Sequence, residues 1–208
     1  MHLVESHANV DKTKVISGMK TPFRYLVILL VVLTSPLSAA PANYVLEPAS
    51  STVGFETDFG KDHITGQMPV TSANLTLDFD KVTNCTVAVT LDASGAQASF
   101  PFAAQAMKGP KVLDTASYPL IIFQSTSVDS SGTGARIAGW VTIRGITKPL
   151  VLDAQIYRQK GTQAGDLSHL SVRLTGAVKR SDFGATGWAD MVDDEVRLDI
   201  LARVARVN

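Results

Sequence analysis

Alternation with a period of two, repeated along most of the chain with short connections between repeats, restricts this sequence more than any other feature. Val53, Phe55 and Thr57 alternate with Thr52, Gly54, Glu56 and Asp58. Leu75, Leu77 and Phe79 alternate with Thr76, Asp78 and Asp80, and Cys85, Val87, Val89 and Leu91 continue the pattern. It returns over 120–123, 137–143, 150–157, 170–178 and 196–204. A period of two places successive side chains on opposite faces, so each segment reads as a strand with one face buried and one wet. Asp80-Lys81, Asp92-Ala93-Ser94-Gly95 and Ser130-Ser131-Gly132-Thr133-Gly134 punctuate the strands with turn chemistry. Such short links leave no room for repeated helical crossovers, so the strands are antiparallel. About seven to nine of them either stack as two sheets or close into a barrel. Glycines in or beside strands at 54, 66, 139, 145 and 176 tilt the choice mildly toward a closed, bent sheet. One region reads as a short helix: Pro101 to Lys108, with proline in its first turn and Gly109-Pro110 to stop it.

The N-terminal part is of another kind. Lys20 and Arg24 precede an apolar run from Tyr25 to Leu33, followed by small residues ending at Ala40-Pro41-Ala42. That order describes a secretory signal peptide over 19–42, with cleavage before Asn43. The run is well short of the ~20 apolar residues that span a bilayer, so no permanent membrane anchor is expected. Met19 reads as the true start and residues 1–18 as an upstream over-extension. The mature domain, 43–208, reads as one exported unit with a substantial core. Its single cysteine allows no internal disulfide, and Cys85 reads as a small packed hydrophobe. Nineteen basic and nineteen acidic side chains balance, which argues against a nucleic-acid surface.

Candidate chemistry is sparse. No paired cysteines, HExxH or His-x-His grouping offers metal-ligand spacing, so no metal and no cofactor is expected. Asp62-His63 pairs a base with an orienter but lacks a nucleophile in an activating context. The acidic run Asp190 to Glu195 reads as a solvated turn, and the Gly184-Ala185-Thr186-Gly187 stretch carries only a weak phosphate signal. What remains is apolar. Phe100, Phe102, Tyr118, Phe123, Trp140, Tyr157, Phe183 and Trp188 each read singly as core, while together they admit a ligand cavity. Strand phase nominates Phe55, Leu77, Val89, Phe123, Ile143, Leu152, Leu174 and Leu198 as inward, channel-lining residues; a slip of one residue would turn any of them outward.

Four stretches stand in order along the chain: Tyr44-x-Leu46 with Ser51-Thr52-Val53-Gly54-Phe55, Tyr118-Pro119 leading into Phe123-Gln124-Ser125, Gly139-Trp140-Val141-Thr142-Ile143-Arg144-Gly145-Ile146-Thr147-Lys148-Pro149, and Arg180-Ser181-Asp182-Phe183-Gly184. By these the chain resembles the YceI-like family of periplasmic proteins. The resemblance implies an all-β fold: an extended, closed, lipocalin-like antiparallel barrel of about eight strands with a short helix in a long connection. It also implies a deep apolar channel for an isoprenoid lipid or quinone. Where the family commonly carries an arginine and an aromatic before the Tyr-Pro pair, this chain has Met107-Lys108 and Leu113, so the headgroup contact is not carried over. Three readings follow. The first is a noncatalytic periplasmic carrier of a long-chain apolar small molecule, with a transient membrane contact and a homodimer left open. The second is a solidly packed structural or interaction protein, and the third an enzyme at the barrel mouth using Asp62 and His63. Around the third of the four stretches, GWVTIRG (139–145) and PLVLDAQI (149–156) read as two strands joined by a connection at Ile146-Thr147-Lys148, with Pro149 first in its strand.

Overall fold

The structure, a computed structural model, describes residues 40–159, 161–163 and 165–207. The expectations for the over-extension and for most of the signal peptide fall on residues 1–39, outside the described residues.

Eleven strand segments build one antiparallel sheet: β1 (Ala42–Leu46), β2 (Thr52–Phe59), β3 (Asp62–Met68), β4 (Val70–Leu77), β5 (Thr86–Asp92), β6 (Gln97–Ala98), β7 (Leu120–Ser131), β8 (Gly134–Ile143), β9 (Ile146–Arg158), β10 (His169–Lys179) and β11 (Glu195–Arg206). Helix α1 (Pro101–Lys108) lies in the long connection between β6 and β7, on the residues expected. The eleven segments occupy eight barrel positions, because three positions hold two segments each. Leu46 of β1 pairs with Val204 and Thr52 of β2 with Leu201, so β1 and β2 run in line along β11, interrupted by a 3-10 turn at Pro48–Ser50. β3 and β4 are one strand bent at Pro69, where the missing N–H interrupts a ladder at little cost. β5 and β6 are separated by the tight turn at 93–96. β11 also pairs with β10, and β1 with β4, which closes the barrel. Closure leaves no long free edge, the liability that an open sheet of this size carries.

Alternation missed β3 because one inward position, Gly66, is empty of side chain. A Cβ there would collide with the Phe55 ring across the ladder, so glycine makes the room that Phe55 fills. The β8–β9 link is shorter than expected. It is the two-residue turn Arg144-Gly145, with both residues at positive φ (51° and 71°), and β9 already begins at Ile146. This is the turn whose twist matches that of the flanking strands. Pro149 is therefore inside β9; it pairs with Trp140 on β8 and precedes the β9–β10 ladder, which begins at Asp153.

The barrel has two different ends. At one, Tyr44, Leu170 and Val204 form a buried cluster with Leu46, Leu75, Leu77, Leu167 and Ala202 around them. The Tyr44 hydroxyl donates to Leu167 O at 2.8 Å, and its ring meets Phe79 edge-on. That end is a floor. The β2–β3 turn, α1, the Arg144-Gly145 turn and the 180–194 segment gather at the opposite end.

Candidate ligand cavity

Inside the barrel the packing is uneven. On β7 to β10 most inward side chains are buried: Ile121, Phe123, Ile137, Val141, Leu150, Leu152 and Leu174 belong to one continuous core, with Ile143, Val172 and Val178 half-buried against it. Most of their counterparts on β2, β4, β5 and β11 are only half-buried, Thr57 and Val204 excepted, although they too point inward. The reason is a cavity of about 810 Å³ between the two sets. It is within the ~300–1,000 Å³ range of ligand sites and far above the void that close-packed interiors leave. Its wall begins at Leu46, Leu75 and Leu77 beside the floor and reaches Phe100, Phe102 and Trp188 at the other end. A barrel strand such as β11, with 12 residues, spans roughly 30 Å of barrel height at the usual tilt. The cavity is therefore long and narrow. The expectation of a filled barrel does not fit this interior.

All eight residues nominated from strand phase stand on the cavity wall. Phe123, Leu152 and Leu174 do so from the packed half; Phe55, Leu77, Val89 and Leu198 do so from the open half, and Ile143 near the mouth is half-buried as well. The aromatics divide. Phe123 and Phe183 are buried as expected of core, but Tyr118, Trp140 and Tyr157 are exposed, and Phe100, Phe102 and Trp188 are exposed at the cavity mouth. Mouth residues lie in connections, where no period reports orientation.

Few polar groups reach the wall, and most are already engaged. Thr57 is buried and its hydroxyl donates to Glu195 O at 2.8 Å. Arg180, 9% exposed, donates from Nε to Asp193 O, from Nη1 to Ala185 O and Gly187 O, and from Nη2 to Val192 O, all between 2.6 and 2.9 Å. A buried guanidinium satisfied by four carbonyls holds the 180–194 segment around itself, much as a core would. Asp194 accepts from the Ser181 amide and hydroxyl, and these bonds pull its pKa below the ordinary carboxylate value. Arg144 reaches from the β8–β9 turn to Gly184 O and, at 2.7 Å, to Pro110 O. Arg144 is thus a brace between the two segments that frame the mouth.

The pairing of Asp62 with His63 does not survive in space. Adjacent strand residues point to opposite faces: Asp62 lines the cavity mouth, whereas His63 is on the outer wall with Nδ1 2.8 Å from Asp58. Glu56, Asp58 and His63 converge closely enough to hold a cation, but the Arg197 guanidinium already occupies both carboxylates, at 2.8 Å from Glu56 and 2.5 Å from Asp58. Arg197, and then His63, hold the Asp58 carboxyl below its ordinary pKa. Cys85 is partly buried, packs against the core, and burial raises its thiol pKa, which suits packing rather than nucleophilic attack.

The sequence profile of the YceI-like domain matches residues 44–204. The chain belongs to the YceI-like family. That span takes in every barrel strand almost from end to end, so family and cavity describe the same unit. A UPF0312 protein of Shewanella putrefaciens is 27% identical over 181 residues, covering 85% of this chain and 94% of the relative. Among solved structures, BcnA of Burkholderia cenocepacia superposes with a TM-score of 0.67 at 18% identity, covering 77% of this chain and 99% of that one. A polyisoprenoid binding domain from Saccharophagus degradans, implicated in plant cell wall breakdown, superposes at 0.56 with 12% identity, over 79% and 98%. At these identities the structural likeness is one of fold, and it agrees with the closed barrel described above.

Proposed function

We propose that this YceI-like protein is a noncatalytic periplasmic carrier of one long-chain apolar molecule, an isoprenoid lipid or quinone, released into that compartment by cleavage near residue 43. The observation that carries the reading is the continuous apolar cavity, which runs from the Leu46–Leu75–Leu77 floor to an open mouth. A long, narrow, apolar space suits a chain-shaped ligand better than a compact ring. Each methylene buried there gains about 0.8 kcal/mol, so affinity accumulates along the chain with few directional bonds. The Saccharophagus domain, which shares the fold, is described as polyisoprenoid binding, and this supports the ligand class. Because the polar atoms of the wall near Asp62 and Arg180 are at the mouth, the ligand's polar end faces out and its tail points to the floor. Phe55, Leu77, Val89, Phe123, Ile143, Leu152, Leu174 and Leu198 are its proposed contacts.

Native mass spectrometry of protein purified without added lipid tests the reading. We expect a bound prenyl-type lipid, or its uptake when offered, together with an N-terminus near residue 43 in the periplasmic fraction. Repeated absence of any bound or loadable long-chain lipid would sink the carrier role; an uncleaved cytoplasmic chain would sink its placement.

A further inference from the structure

Four large side chains at the mouth face two ways. Phe100, Phe102, Trp188 and Met191 all line the cavity, yet they are 47%, 74%, 37% and 46% exposed. Helix α1, which carries Phe102, has no buried residue at all. The apolar lining of the barrel is therefore continued at the mouth by exposed apolar side chains, with Asp62 beside them.

This rim is held out firmly. Trp188 has a left-handed backbone, φ 54°, which is strained for an aromatic residue and persists only where neighbours over-determine it. The neighbours are visible: Trp188 O accepts from the amides of Met191 and Val192, the Gly187 amide donates to Lys111 O, and the Gly60 amide donates to Met191 O. Arg180 fixes Gly187 O from beneath, and Arg144 ties the Pro110 and Gly184 segments together. The exposed aromatics stand on a braced frame.

We infer that this rim is a membrane-docking surface, and that the protein seats its mouth on a lipid bilayer to take up or release its cargo. The inference rests on the carrier reading of the cavity. Whatever covers the rim also covers the mouth through which a long-chain molecule passes, and such a molecule has its reservoir in a bilayer rather than in water. Two phenylalanines, a tryptophan and a methionine are side chains that partition into the interfacial layer of a membrane. Charge does not select the surface: Lys61, Lys108 and Lys111 are offset around the mouth by Asp62, Asp190 and Asp193. Docking is therefore apolar, and it persists as the screening length shrinks from about 8 Å to about 3 Å between 0.15 and 1 M salt.

The two tryptophans make the test local, since Trp188 is on the rim and Trp140 on the outer barrel wall. Chain recovered after export is mixed with phosphatidylcholine vesicles, plain or brominated in the acyl chains, and floated. In Trp140→Phe, where Trp188 alone reports, we expect co-flotation, a blue shift and loss of most of the emission on brominated vesicles, unchanged at 1 M salt. In Trp188→Phe, the Trp140 emission should not change. Phe102→Ser with Met191→Ser should lose both flotation and quenching. Quenching that persists in that double variant without flotation means that lipid monomers enter the cavity, and it overturns docking. So does quenching of Trp140 in place of Trp188, or a blue shift of Trp188 that depends on protein concentration without vesicles, which assigns the rim to a second copy. Uptake of a fluorescent fatty probe without vesicles is read separately. A protein that takes the probe but does not dock keeps the carrier reading and loses this one; a protein that docks but takes no probe does the reverse.

Discussion

The two halves of the barrel interior are built on the same alternation and end in opposite states. On β7 to β10, inward positions hold Phe123, Leu150, Leu152 and Leu174 and are filled to burial. On β2, β4, β5 and β11 most inward side chains, Val53, Ala73, Val87 and Val89 among them, are only half-buried and face the cavity. Glycine sharpens the packing of the filled half. A Cβ at Gly139 would lie 2.7 Å from the Phe123 ring, and one at Gly176 would lie 2.8 Å from Leu152, so these glycines let the neighbouring large side chains seat closely. The lesson is that one half keeps the fold and the other keeps the space.

Truncation should separate the halves most. Phe123→Ala on the filled half is expected to cost about 3–5 kcal/mol and Leu174→Ala about 2–5 kcal/mol in urea unfolding. Val89→Ala on the open half should cost about 1 kcal/mol or less, because its methyl groups border space already empty. Equal losses would erase the distinction. Next, Arg180→Met should cost about 3 kcal/mol, since the carbonyls of Ala185, Gly187, Val192 and Asp193 lose a charged donor. Faster amide exchange confined to 184–193 would show that the mouth, not the floor, gives way.

Enlargement inverts the order. Val89→Trp should leave stability within about 1 kcal/mol while abolishing uptake of a fatty probe, whereas Ile137→Phe on the filled half should cost about 1–3 kcal/mol by overpacking. The smallest effect should ignore the division altogether. Asp58, paired with Arg197 and His63, and Asp199, paired with Arg173, are on the outer wall with carboxyl pKa values below the ordinary one. A carboxylate whose pKa is lower folded than unfolded contributes stability above its unfolded value of about 3.9, and loses it as pH falls through the folded one. Urea midpoints should therefore drop below about pH 4, and Asp58→Asn with Asp199→Asn should flatten that slope without altering probe uptake.

Much of this was legible in the sequence, and the limits have physical reasons. Alternation fixes phase, so Phe55, Leu77, Val89 and Leu198 were assignable to the inner face from their own strands. Phase says nothing of what stands opposite, so it cannot tell Leu174, buried on the cavity wall, from Leu198, half-buried on the same wall. Gly66 concealed β3, because an inward glycine removes the apolar beat that marks a strand. Phe102 and Trp188 read singly as core but are exposed at the mouth, because a short helix and an irregular connection carry too little periodicity to report which way a side chain faces. No sequence pattern marks Arg180 and Arg144 for their bracing roles, which come from backbone carbonyls brought to them by the fold, and carbonyls are the same in every sequence.

The last strand has a consequence in time as well as in space. β11 ladders with β1, β2 and β10, so it joins the first two segments of the barrel to the last hairpin. A chain made from its N-terminus cannot close the barrel until β11 (Glu195–Arg206) arrives, and pairings this distant in sequence form slowly. Until then the sheet stays open. A product cut short before Glu195 likewise leaves two long edges open, a species for chaperones and proteases rather than a smaller barrel.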